Sequence, residues 1–192
     1  KSEGLPLLVE QLRSPDRSFF RLGLSTAREL SGAAVSDALA SELSGSVPER
    51  AALLLMAFAD RKESKITPAV LEVSKSGPKE VRLAAIGVVG RLGDAGSLST
   101  LLEIAAGDDE ELSQAAMAAL VSLSGETVPG EIVNRLTGAA GKALRVLLEL
   151  VGKRRIEATP AVVKALDDAD AKVRGAALTA LGATVAPKDV VV

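Results

Sequence analysis

Arginine recurs in this chain at a spacing that invites a chemical reading. Taken as an anchor followed by small and apolar residues, it falls at Arg21, Arg50, Arg82, Arg145 and Arg174, with Ser113 in the fourth place, at intervals of 29, 32, 31, 32 and 29 residues. Five guanidinium groups in register could hold an acidic peptide or a phosphate, because each presents a planar fork of donors. The same periodicity suits a plainer role, in which each Arg packs near a helix start and bonds an Asp or a backbone carbonyl of the adjacent unit. We adopt the plainer role, and read Arg21, Arg50, Arg82, Arg145 and Arg174, with Asp109 and Asp170, as structural residues between repeats.

The other chemical possibilities narrow quickly. The chain has no His and no Cys. A Ser-His-Asp triad, a Cys-His pair, a His-ligated zinc site and any disulfide are therefore absent by composition. Carboxylates are plentiful, yet no pair stands out as an acid and base from the solvated charges. "GDDEEL" (107–112) places its acids at a predicted helix start, where the helix dipole favours them. "DDADAKV" (167–173) lacks the Gly and Glu of a calcium loop. "GVVGRLGDAG" (87–96) does not have the phosphate-binding glycine spacing, and no strand precedes it. "GKRRIEA" (152–158) reads as a solvated turn whose cations complement a helix C-terminus. No catalytic, cofactor or metal residue is assigned, and the chain is read as non-enzymatic.

Charge and composition limit the partners. Net charge is −2, from 23 basic and 25 acidic residues, and aromatics are only 2% of the chain. A nucleic-acid binder would bring a basic excess or stacking aromatics, so nucleic acid is not expected. No apolar run is long enough to span a membrane. With 47% hydrophobic residues and no Trp or Tyr, the core must be built from Leu, Val, Ile and Ala, of which Leu and Ala are strong helix formers. The absence of Cys does not fix a compartment.

The elements that carry the arginines repeat. "TPAVLEVSKSGPKEVRLAAIGVVG" (67–90) returns as "TPAVVKALDDADAKVRGAALTALG" (159–182), 92 residues later. That offset is close to three units of 31, and a fixed period in this range marks a repeat architecture. After each anchor, small or apolar residues sit two, three, four, six and seven positions on, as in Ala84, Ala85, Ile86, Val88 and Val89. That spacing gives a wide apolar helix face. A shorter apolar segment precedes each anchor, so every unit reads as a short helix A, a turn and a longer helix B.

Proline supports the division, since it is tolerated in the first turn of a helix and not inside one. Pro6, Pro68, Pro129 and Pro160 fall at the starts of helices A. Pro15, Pro48 and Pro78 fall at or just before helices B, and Pro187 where a seventh helix A would begin. Thr67 and Thr159 are expected to cap helices A, and Asp109 and Asp170 helices B. Gly32, Gly93, Gly125 and Gly152 are expected as left-handed caps after helices B.

"DADAKVRGAALTALG" (168–182) resembles the second helix of a HEAT repeat, in the short bacterial form also seen in bilin-lyase-like proteins. The resemblance covers nearly the whole chain as six units, about 4–32, 34–61, 66–94, 96–125, 128–156 and 159–185. It is weakest in the second and fifth, where Glu49 or Leu144 precedes the anchor. It implies an all-α, armadillo-like fold: a right-handed superhelix of about six helical hairpins, with helices B lining the concave side. One hairpin cannot bury its apolar face alone, so neighbours must stack. Residues 1–192 are read as a single solenoid domain. The chain closes on "PKDVVV", which reads as the first half of another helix A. The expectation is a segment of a longer array, with end-to-end self-association through uncapped terminal repeats.

The resemblance supplies no catalytic set that could be carried over. HEAT-like DNA glycosylases would need aromatic and basic residues around a flipped base, and no residue corresponds to a bilin site. The expected function is a scaffold that binds a protein partner, without cofactor, on its concave surface. Rival readings are an enzyme or enzyme-assembly factor of the bilin-lyase or glycosylase type, and a purely structural spacer. Positions one, five and eight after each anchor share a face beside the buried one. Along it, Leu22, Leu55, Phe58, Leu83, Val121, Val146 and Leu150 are the candidate partner-binding residues. The alternative is that some of them seal contacts between repeats.

Overall fold

The computed structural model describes residues 4–43, 45–61, 65 and 68–184. Within them the chain is all-α, and its helices pair into six hairpins. By internal contact it divides into two compact units, Lys1–Gly93 and Asp94–Val192.

The first unit holds α1 (Gly4–Arg13), α2 (Arg17–Glu29), α3 (Ala33–Ser41), α4 (Pro48–Ala59), α5 (Pro68–Lys75) and α6 (Lys79–Leu92). Odd and even neighbours form hairpins, and the longer helices α2, α4 and α6 also pack side by side. Its core is Leu8, Leu12, Phe20, Leu24, Leu39, Leu54, Leu55, Phe58, Ile86 and Val89. Proline opens α4, and Pro78 precedes α6. Asp16 caps α2 by accepting from the Phe19 N–H at 2.8 Å. Gly23 lets α1 and α2 close: a Cβ there would lie 2.8 Å from the Gln11 Cβ and 3.2 Å from the Leu12 nitrogen.

The second unit holds α7 (Leu98–Ala105), α8 (Glu110–Ser122), α9 (Val128–Leu136), α10 (Gly141–Arg154), α11 (Thr159–Lys164) and α12 (Ala171–Thr184). A short 3-10 turn leads into α7 and another follows α11. Helix α10 packs against α7, α8, α9 and α12. It therefore buries Leu144, Val146, Leu147, Leu148, Leu150 and Val151, on more than one face. Asp109 caps α8 through the Glu111 and Leu112 N–H groups, both at 3.1 Å, and Asp170 accepts from the Lys172 N–H at 2.8 Å.

Several expected caps differ. Thr159 is the first residue of α11, and Ala158 precedes it without a side-chain cap. Gly93 ends α6 in an extended conformation, with φ of −75°. Gly152 lies inside α10, where the absence of a Cβ admits α12: an added Cβ would sit 3.2 Å from the Ala180 Cα. The left-handed residue that ends α10 is Arg155, with φ of 51°. Thr67 and Pro187 lie outside the described residues, as does the closing "PKDVVV" segment.

Candidate functional site

The outward face of the long helices is set by their rotational register. Leu22, Leu53 and Leu83 occupy equivalent places on α2, α4 and α6, at intervals of 31 and 30 residues. Leu22 is 51% exposed, Leu53 38%, and Leu83 is half-buried. Met56, one turn beyond Leu53, is 56% exposed. In the second unit the same interval leads to Gln114, Arg145 and Gly175. None of these last three is fully buried.

This register corrects the candidate surface. Leu55 and Phe58 are 0% exposed, Leu150 is 0% and Val146 is 4%, so all four belong to the core and not to a docking face. The cause lies in the anchors. Equivalent positions to Arg21, Arg82 and Arg174 at the same interval are Ala52 and Leu144. Arg50 stands two residues ahead of its place and Arg145 one behind. At 3.6 residues per turn, each position rotates the face by about 100°. Counting from Arg50 and Arg145 therefore selects buried faces of α4 and α10. Leu22 and Val121, from units in correct register, are exposed, Val121 at 38%.

The anchors themselves part ways. Arg50 ties neighbouring hairpins: its Nη atoms donate to the carbonyls of Ser14 at 2.8 Å and Leu12 at 2.9 Å. Its guanidinium also lies 3.9 Å from the centroid of the Phe20 ring. Arg82 reaches the Ser74 carbonyl of its own hairpin, 3.3 Å away, and Arg174 reaches those of Asp168 and Ala169 at 2.8 and 2.9 Å. Ser113 donates to the Ala105 carbonyl, eight residues back, as Arg82 does to Ser74. Arg82 and Ser113 therefore lock helix A to helix B, Arg174 holds the turn just ahead of its own helix, and none of the three joins repeats. Asp109 and Asp170 act as helix caps. Arg21 is exposed and has no hydrogen bond among the described residues.

The ties between hairpins come mainly from residues outside the anchor series. Arg154 donates to the carbonyls of Leu120, Val121 and Leu123 at 2.8, 3.0 and 2.8 Å. Arg61, only 4% exposed, donates to those of Ala27, Leu30 and Gly32. Burial lowers the Arg154 pKa below the usual guanidinium value. Both side chains fill the carbonyls that a helix end leaves unpaired. Lys142 similarly reaches the Gly107 carbonyl and, at 3.0 Å, Asp108.

Arg145 is the exception with chemical interest. It stands in the outward row, and its Nε is buried without a hydrogen-bond partner among the described residues. Its ion contact with Glu149 is 3.7 Å, longer than a hydrogen bond. Arg145 lines a groove of about 670 Å³ between α8 and α10. Met117, Ala118 and Val121 form the apolar wall on α8, and Arg145, Glu149 and Lys153 the charged wall on α10. No group of His, Cys, Asp or Glu suited to a metal occurs among the described residues. None of their helices is long and apolar enough to cross a membrane.

No family model matches the chain, and no curated protein matches it. Among the solved structures that resemble it are designed armadillo repeat proteins and an engineered protein. A designed armadillo repeat protein in complex with the peptide (KR)4 is 18% identical with a TM-score of 0.47, over 94% of this chain and 99% of that one. A computationally designed armadillo repeat protein for modular peptide recognition is 19% identical with a TM-score of 0.47, over 94% of this chain and 100% of that one. An engineered protein is 15% identical with a TM-score of 0.48, over 94% and 96% of the two chains.

Proposed function

We propose that the chain is a non-enzymatic scaffold that binds a protein partner along the outward row of its long helices. The observation that carries this reading is the row Leu22, Leu53 and Leu83, one leucine per hairpin at one register, with Met56 beside it. Scattered exposed apolar residues are ordinary on a protein surface, but an apolar row repeated at a fixed register is a patch that excludes water on contact. The three leucines belong to stacked rigid helices, so a partner would meet them without the entropic cost of ordering a loop. The composition supports a reading without catalysis: no His or Cys is present to act as base, nucleophile or metal ligand. It equally supports a protein partner over nucleic acid, given the net charge of −2 and the 2% aromatic content.

The test is selection of peptides from a displayed random library on the folded chain, followed by titration against Leu53→Asp and Met56→Asp. The expected result is loss of binding by at least about tenfold in each variant, with helicity by circular dichroism unchanged, as for charge placed in an apolar contact. A library that yields no binder, or binders indifferent to both substitutions, refutes the scaffold reading on this row.

A further inference from the structure

We propose that the groove between α8 and α10 takes an extended acidic peptide segment with two carboxylates four residues apart and an apolar side chain midway between them. The proposal rests on the scaffold reading and supplies the partner chemistry for its second unit.

The charge pattern of the α10 wall selects the guest. Arg145, Glu149 and Lys153 follow one another at successive turns of one helix line. Lys153 is exposed and has no partner among the described residues. Arg145 has only the 3.7 Å contact with Glu149, so its outer guanidinium nitrogens carry no hydrogen bond among the described residues. Of the arginines compared above, Arg50, Arg82, Arg154 and Arg174 already serve backbone carbonyls, and the exposed Arg21 belongs to the first unit. Arg145 and Lys153 are thus the cations of this face with donor capacity to offer. A carboxylate is the group that a guanidinium fork binds best, through two parallel hydrogen bonds.

Spacing then fixes the conformation of the guest. Eight residues of α-helix rise about 12 Å. Four residues of extended chain span about 13 Å, and residues i, i+2 and i+4 point to the same side. Two acidic side chains at i and i+4 therefore reach Arg145 and Lys153 together, while residue i+2 faces the same groove. Met117, Ala118 and Val121 form its opposite wall and suit an apolar side chain there. Glu149 would repel an acid at that midpoint and can accept from a backbone N–H of the extended segment. Gln114, whose amide donates to Glu110 at 3.1 Å, adds no competing charge.

The experiment is fluorescence polarisation with the full chain and a dye-labelled, end-capped peptide carrying the core glutamate–serine–leucine–serine–glutamate. The comparison peptide has both glutamates replaced by glutamine. The acidic peptide should bind at least about tenfold more tightly than the glutamine peptide, since two charge-assisted hydrogen-bond sites are lost. Arg145→Gln and Lys153→Gln should each weaken it by about fivefold or more, and added salt should weaken it further. Lys164→Gln, at an exposed lysine of α11 that does not line the groove, should leave it unchanged. Equal binding of the two peptides, or indifference to both α10 substitutions in chains with unchanged helicity, overturns the proposal. If library-selected peptides still bind in a Leu53-dependent way, the scaffold reading survives that result; if nothing binds, both fall.

Discussion

Arg154 donates to the carbonyl oxygen of Leu120, 34 residues earlier, at 2.8 Å, and Arg61 reaches Ala27 at that same offset of 34. The second bond repeats too: Arg154 to Leu123 and Arg61 to Leu30 are each separated by 31 residues. In both units an arginine beyond or at the end of one long helix closes the C-terminal carbonyls of the preceding long helix. A cation in that place also meets the negative end of the helix dipole. Arg154→Met should cost about 2–3 kcal/mol in denaturant unfolding, because three carbonyls lose a charged donor. Arg61→Met should cost at least as much, since the Arg61 side chain is almost fully buried. Lysine at either place should restore only part of the loss, because one ammonium cannot span the carbonyl set as a fork does. Values within about 0.5 kcal/mol of the parent, the usual range for a surface substitution, would show that these bonds carry no stability.

Two glycines in the first unit predict opposite signs for one substitution. Gly23→Ala would set a Cβ 2.8 Å from the Gln11 Cβ and 3.2 Å from backbone atoms of Gln11 and Leu12. Overpacking of that kind costs about 1–3 kcal/mol, which outweighs the gain of about 1 kcal/mol from replacing a helical glycine. Gly87, in the middle of α6, would bring such a Cβ within 4 Å of nothing outside the backbone of its own helix. Gly87→Ala should therefore stabilise by about 0.5–1 kcal/mol. Thermal melts of the two variants should move in opposite directions. A stabilising Gly23→Ala would mean that α1 and α2 can separate at little cost.

The helices are legible in the sequence because their punctuation is local. Pro48 at the start of α4, Asp109 ahead of α8 and Asp170 ahead of α12 act within a few residues of themselves. The rotation of α4 and α10 is not legible from one anchor residue type, because Arg50 and Arg145 perform tasks different from those of Arg82 and Arg174. Arg50 reaches the turn of another hairpin, and Arg145 faces outward. The bonds of Arg61 and Arg154 escape the anchor series for a related reason. Their signal is present, since Arg28, Arg61, Arg91 and Arg154 follow one another at 33, 30 and 63 residues. The alanines and leucines around the first series draw the alignment there instead.

That difference in register has its own test on α4. Phe58 is 0% exposed and Met56, two positions away, is 56% exposed. Phe58→Ala should destabilise by about 3–5 kcal/mol through the cavity it leaves. Met56→Asp should cost only about 1 kcal/mol, from the lower helix propensity of Asp and its place in the last turn of α4, while removing peptide binding if the outward row is the docking surface. Urea unfolding separates the two. A severe loss of stability from Met56→Asp together with a mild one from Phe58→Ala would place α4 in the opposite rotation.

The pH dependence of folding should be unusually flat. The chain contains no His, Cys or Tyr, so no side-chain type with an ordinary pKa between about 6 and 9 is present. The shifts at Arg13 and Arg154 have opposite signs. Glu42 raises the Arg13 pKa, by a hydrogen bond and by charge. That contribution is fully present below the unfolded-state value and fades as pH rises through the higher folded one. Burial lowers the Arg154 pKa, so its charged form is penalised in the folded state, and the penalty lifts only as pH rises through the guanidinium range. Both effects lie in strongly alkaline solution, because free guanidinium groups titrate only above about pH 12. Calorimetric melting temperatures should therefore be level from about pH 6 to 9 at fixed ionic strength. A slope across that window would require a proton uptake that differs between folded and unfolded chains, by the linkage between binding and stability, and would locate a titrating group that none of the bonds described above accounts for.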